Sequence, residues 1–188
     1  MKNKRPKEWL TRKEYNKLIN DPYLPRKDDL ILSLLYSCAL RVSELTDIRV
    51  RDIDINNATI TIREGKRSEG PALVPVPAPL LKKINQWITD NKLTKMRYLI
   101  FSRHSKQISR TQIYRIVKKA AKRTNIEKAL TTHTFRRTRA KHLLDEGLPI
   151  EQVSKLLRHK HISSTMHYLK ISIKGLQKAI TEIDQNNI

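Results

Sequence analysis

Hydrophobic positions in this chain recur with the period of a helix far more often than with that of a strand. Over 28–40 they fall at Leu30, Ile31, Leu34, Leu35 and Cys38, and after Pro79 they fall at Leu80, Leu81, Ile84, Trp87 and Ile88. Both stripes predict helices that turn one face to a core. Ser109 followed by Gln112 has the form of a capping box, so a helix starts there, carried by Ile113, Ile116, Val117, Ala120 and Ala121 as far as about Arg123. The pattern predicts a further helix from near Thr134 to a stop at Gly147, and Pro149 opens the next, through Leu157. Around Ser163 and Ser164 a short helix restarts and carries Tyr168; past a break near Ser172, 173–183 reads as a last amphipathic helix. Only ATITIR at 58–63 and ALVPVP at 72–77 alternate, separated by the polar turn EGKRSEGP, which predicts a small antiparallel hairpin. The fold class expected is therefore mainly α with a small antiparallel β-sheet (α+β). No internal repeat, low-complexity tract or Gly/Ser linker divides the chain, so 1–188 reads as a single domain.

Charge sharpens this picture. The 188 residues hold 39 Lys and Arg against 18 Asp and Glu, a net charge of +21, and the pI is about 10.3. These charges run from Lys2 to Lys178 rather than forming one tail, a distribution that suits a polyanion such as nucleic acid, whose phosphates reward Lys and Arg through counterion release. Four glycines are present, none in a phosphate-cradling G-x-x-x-x-G-K loop, so the sequence offers no machinery for nucleotide hydrolysis. Cys38 is the sole cysteine, which rules out an intramolecular disulfide framework and reads as a small core residue in a reduced compartment. No apolar run reaches the ~18 residues that span a bilayer, and MKNKRPKEWLTRKEY lacks the apolar stretch of a secretory signal. A cytoplasmic location without membrane contact is expected.

Chemistry concentrates in four places: Arg41 in ALRVSEL, Lys66 in the hairpin turn, His133 and Arg136 in THTFRR, and His159 nine positions before Tyr168 in LLRHKHISSTMHY. A tyrosine, with a pKa of about 10, is a poor nucleophile unless cations and a proton acceptor surround it. Attack on a phosphodiester builds negative charge on the nonbridging oxygens, and two guanidiniums such as Arg41 and Arg136 can hold that geometry without a metal. His133 lies three residues before Arg136, so a helix that includes both presents them on one face. His159 could bond the phosphate or orient Tyr168. The histidines, His161 and His167 among them, lack a cysteine partner and a regular ligand spacing, so neither zinc nor another cofactor is expected.

In this order the motifs resemble those of the tyrosine recombinases, the phage integrase family. The resemblance covers essentially the whole chain, and its specificity lies in needing Arg, Lys, His-x-x-Arg, His and Tyr in sequence. It implies a catalytic set of Arg41, Lys66, His133, Arg136 and His159 around the nucleophile Tyr168, with Lys66 as the general acid for the leaving 5′ oxygen. Glu44 resembles an acidic support of the first arginine, and Thr165 a structural threonine before the tyrosine. The implied reaction is site-specific recombination through a 3′-phosphotyrosyl link, independent of metal and ATP. Double-stranded DNA is then the partner, with a monomer in solution, a tetramer on paired sites, and an accessory DNA-bending protein compatible with the family. The tail at 173–183 resembles the helix that docks on a neighbouring protomer.

The chain departs from that family in three ways. Arg158 stands where a glycine usually precedes the histidine, and an arginine takes a left-handed turn only at a cost. The turn reads GKRSEG without a second glycine directly after the lysine, leaving Arg67 as a competitor of Lys66. The chain begins at what resembles the catalytic domain, so the N-terminal core-binding domain of most members is expected to be absent, as in the short fimbrial-switch recombinases. Taken singly, each residue has an ordinary reading: Arg41 as a helix C-terminal charge, Lys66 as a solvated lysine, Tyr168 as a core aromatic. Another class of function also fits part of the chain, because 150–170 has the form of a helix-turn-helix DNA reader with Ser163, Ser164 and His167 facing bases. A type IB topoisomerase would share the site but stop at strand passage.

Overall fold

A computed structural model of the chain describes residues 9–63, 70–102 and 107–169, the last three by backbone alone. The turn with Lys66 and the tail at 173–183 lie outside the described residues. The order of elements is α1 (Arg12–Ile19), α2 (Arg26–Ser37), α3 (Val42–Asp47), a 3₁₀ turn (Val50–Asp52), β1 (Ile53–Asp54), β2 (Thr59–Ile62), β3 (Ala72–Pro75), α4 (Ala78–Asp90), α5 (Arg110–Arg123), α6 (Thr132–Asp145), α7 (Ile150–Leu157) and α8 (Ile162–Leu169). The mainly helical class with one small antiparallel sheet is the one the periodicity predicts.

Helix α2 is the axis of the molecule. All seven residues from Leu30 to Tyr36 are buried, which only a helix surrounded on every side can satisfy, and α2 packs against α1, α3, α4, α5 and α6. Burying each of its Leu and Ile side chains contributes about 1.5–3 kcal/mol. The helix begins two residues earlier than position 28, after Pro25, and ends at Ser37 rather than Leu40. The early stop has a backbone cause: Ala39 is left-handed at φ 46°, and that reversal sends the chain directly into Arg41.

The sheet has the order β1-β2-β3, with Ile60 opposite Val74 and Ile62 opposite Ala72. Ile60 and Val74 face the core while Leu73 is 71% exposed, as the two-residue period demands. The added strand β1 pairs Ile53 with Ile60; two residues are too few to show alternation, so a hairpin was all the pattern could predict.

Helix α5 matches its capping box. Ser109 Oγ accepts from the Gln112 amide at 3.1 Å, and Gln112 Oε1 accepts from the Ser109 amide at 2.9 Å. Helix α6 starts two residues before Thr134, because Thr131 is the cap, its Oγ1 accepting from the Thr134 amide at 3.3 Å. Both His133 and Arg136 are therefore inside the helix. Gly147, at φ 86°, turns the chain after α6, and a small apolar cluster of Ala39, Ala140, Val153 and Leu157 clamps α7 to it. That cluster fixes where the end of α7 lies relative to Arg136.

Candidate active site

The C-terminal end of α7 gathers the site. A helix end leaves its last carbonyls without helical partners and carries the negative end of the dipole, so it attracts cations. Arg136 Nη2 donates to the Leu157 carbonyl, and Arg41 Nη2 donates to the next one, that of Arg158, at 3.1 Å. Arg136 also donates through Nη1 to the Ala39 carbonyl, the one set by the left-handed residue after α2. Two arginines distant in sequence thus dock on consecutive carbonyls of one helix end.

Their exposures differ. Arg136 is 2% exposed, whereas Arg41 borders a cleft of about 1170 Å³ together with His133, Arg158, His159 and Lys160. Arg41 is the N-cap of α3, not a charge at the end of α2, which removes the helix-dipole reading of it. A cation at a helix N-terminus is unfavourable by itself, and Glu44 offsets this: its Oε1 accepts from Arg41 Nη1 at 2.7 Å and its Oε2 from the Arg41 amide at 2.6 Å. Burial pushes the Glu44 carboxyl up, but the charge and hydrogen bonds of Arg158 and Arg41 outweigh it and hold it below the usual carboxylate range.

Both imidazoles at the cleft favour the neutral form. Burial, then the charges of Arg136, Arg137 and Arg41, lower the pKa of His133. Burial, then Arg136, Arg41 and Arg158, push His159 down to about 4. His159 Nδ1 lies 2.8 Å from Thr165 Oγ1 in α8, so the helix that carries Tyr168 is tied to the imidazole. The backbone of Tyr168 belongs to that helix. Lys66 lies outside the described residues.

The remaining walls of the cleft come from the sheet and the loops before it, with Arg49, Arg63 and Arg110 at its border. Its acids are engaged: Asp52 accepts from Arg63 Nε at 3.1 Å and from the Arg49 amide at 2.8 Å, and Asp47 accepts from Gln107. The cleft is consequently cationic and suits a phosphodiester. Among the described residues no group of three or more His, Cys, Asp or Glu could hold a metal ion.

Arg158 keeps the left-handed turn that a glycine would make, at φ 51° and ψ 49°; the arginine does not alter the local turn. Its side chain is 9% exposed and grips Glu44, with Nη2 2.7 Å from Oε2 and Nε 3.2 Å from Oε1. Sequence reasoning identified the substitution but not this grip, since Glu44 lies across the fold. The signal available was an arginine, with five donors to satisfy, in a position suited to glycine.

The chain matches the phage integrase family over residues 8–174. It is 36% identical over 178 residues to a tyrosine recombinase of Pseudothermotoga lettingae, covering 95% of this chain and 61% of that protein. It is 32% identical over 174 residues to the tyrosine recombinase XerA of Thermococcus kodakarensis, covering 90% and 60%. The chain thus spans about three fifths of the length of these relatives. In fold it is similar to a crystal structure of XerA recombinase, at TM-score 0.81 and 24% identity over 93% of this chain and 64% of that one. It is also similar to the Tn1549 transposon integrase in complex with transposon right end DNA, at TM-score 0.79 and 19% identity over 99% and 68%.

Proposed function

Because the chain belongs to the phage integrase family, we propose that it is a site-specific DNA recombinase that cuts and rejoins DNA through Tyr168. The phenolic oxygen of Tyr168 attacks a backbone phosphorus, the bond from phosphorus to the 5′ oxygen breaks, and a 3′-phosphotyrosyl link remains. The phenol's proton passes to His133, whose lowered pKa keeps the imidazole in the neutral form that can accept it. Lys66 protonates the leaving 5′ oxygen, a role that rests on the resemblance. A second 5′ hydroxyl then attacks the link and restores the phosphodiester on a partner strand. Bond energy is kept in the covalent intermediate, so neither ATP nor a metal enters the balance.

Arg41 and Arg136 hold the nonbridging oxygens as charge builds on them, and His159 bonds the same phosphate or orients Tyr168. The observation that supports this reading most is the docking of both arginines on consecutive carbonyls of α7, near enough to His133 and His159 for their charges to lower the pKa of each. Exchange between two duplexes calls for a tetramer on paired DNA sites, assembled from a protein that is monomeric in solution.

The test is an SDS gel of wild type and Tyr168→Phe after incubation with supercoiled plasmid and nicked duplexes, without metal or ATP. A nuclease-sensitive shifted band from wild type alone is the expected result. A band from Tyr168→Phe would remove Tyr168 as nucleophile. Tight, salt-sensitive binding with no band from either protein would favour a DNA reader without catalysis.

A further inference from the structure

Three guanidiniums, not two, fill the end of α7. Arg158 Nη1 donates to the Leu156 carbonyl at 2.7 Å, beside the carbonyls of residues 157 and 158 that Arg136 and Arg41 occupy. Arg158 also reaches a support of each of the other two. Its Nη2 donates at 3.0 Å to the Ala39 carbonyl, which accepts from Arg136 as well. Through Nε and Nη2 it holds both oxygens of Glu44, the carboxylate that accepts from Arg41. The residue borders the cleft, yet its donors point at protein acceptors rather than into open space.

Resting on the recombinase reading, we propose that Arg158 is a positioning residue for strand cleavage: it locks Arg41 and Arg136 to one another by sharing one acceptor with each. Glycine in the same left-handed position would make the turn without strain, so the backbone does not call for an arginine there. What the arginine adds is the bridge. Its planar fork serves two acceptors in fixed directions, which a lysine cannot do. With the bridge in place, the two guanidiniums meet a phosphate in one relative geometry instead of each moving on its own carbonyl.

Arg158→Gly is the decisive variant, because glycine accepts the observed backbone and the fold is retained; thermal unfolding verifies this. On DNA bound beforehand, formation of the covalent adduct in a single turnover is expected to slow roughly 10- to 100-fold, the scale of a small misplacement of catalytic groups. DNA affinity falls much less than the cleavage rate: one cation is lost from the border of the cleft, while the donors of Arg158 are taken by protein acceptors. Arg158→Lys falls between the two proteins. A second readout needs no activity: in the DNA-free protein, the guanidinium NMR signals of Arg41 and Arg136 are those of restricted rotation in wild type and of freer rotation in Arg158→Gly. Cleavage at the wild-type rate with unchanged guanidinium signals would overturn the proposal. If wild type itself forms no adduct, the recombinase reading falls, and the NMR comparison alone decides the bridge, with unaltered restriction in Arg158→Gly counting against it.

Discussion

Helix α6 carries the same pair of residue types twice at the same spacing, His133 with Arg136 in its first half and Arg139 with His142 in its second. The two halves do different things. His142 is 4% exposed and closed on both sides, with Nε2 2.9 Å from the Leu10 carbonyl and Nδ1 2.9 Å from Tyr36 Oη. A carbonyl can only accept, so Nε2 carries the proton and Nδ1 accepts from the tyrosine hydroxyl. That hydroxyl accepts in turn from Arg12 Nη1 at 3.1 Å, and the Arg139 guanidinium lies 5.3 Å from the Tyr36 ring centroid. Both ring nitrogens of His142 are thus engaged by protein, although the residue also borders a smaller cavity of about 440 Å³ with Arg12 and Glu146. His133 instead borders the cleft, and Arg136 of the same helix donates to the Leu157 carbonyl at the end of α7. Residue types and spacing alone do not distinguish the two pairs; what differs is that both ring nitrogens of His142 meet protein partners, whereas His133 borders the cationic cleft.

The largest effect that would test this contrast is on the arginines. Arg136→Lys is expected to slow adduct formation about 100- to 1,000-fold, the loss seen when a positioned transition-state donor is removed, while Arg139→Lys stays close to wild type. Single-turnover cleavage of a nicked duplex measures both, and comparable losses would erase the distinction. Next in size is stability. Tyr36→Phe removes the hydroxyl between Arg12 and His142 and should cost about 1–3 kcal/mol in urea denaturation, with the cleavage rate per folded molecule unchanged. A slowed rate without lost stability would assign the closed network to the reaction.

The pH dependence sharpens the comparison further. His159 is pushed down to about 4 from an ordinary 6.5, so on acidification the unfolded chain binds this proton before the folded one does. Its contribution to stability is full above pH 6.5 and is lost as the pH falls through about 4, which denaturation across that window measures. His133 and His142 are lowered as well, the latter by burial and then by Arg12. Adding duplex DNA should raise the NMR titration midpoints of His133 and His159, which then face phosphate, and leave that of His142 in place. The smallest effect belongs to the rim: Lys160→Ala should reduce the slope of log affinity against log salt by about 0.9, the increment for one phosphate contact.

Much of the fold was legible because it is locally encoded. The capping box at Ser109 and Gln112 and the stripes of α2 and α4 are written in neighbouring residues, and these helices appear where they are expected. What escaped was nonlocal or hidden in the backbone. The end of α2 depends on an alanine in a left-handed conformation, which no residue type announces, and β1 exists only because Ile53 finds Ile60. At the site, the residue types that could contact a phosphate were legible, but the acceptors that aim them were not. The carbonyls of Ala39, Leu157 and Arg158 carry no sequence signature, and the grip of Arg158 on Glu44 joins residues 114 positions apart.

If the cationic end of α7 serves a covalent attack by Tyr168, a nucleotide stays attached to that residue after cleavage and can be mapped there. Wild-type protein is incubated with DNA, denatured, digested with nuclease and trypsin, and read by tandem mass spectrometry. A phosphonucleotide is expected on Tyr168 in the tryptic peptide spanning 161–170. A nucleotide on another residue, or an unmodified peptide from protein that bound DNA tightly, would contradict it.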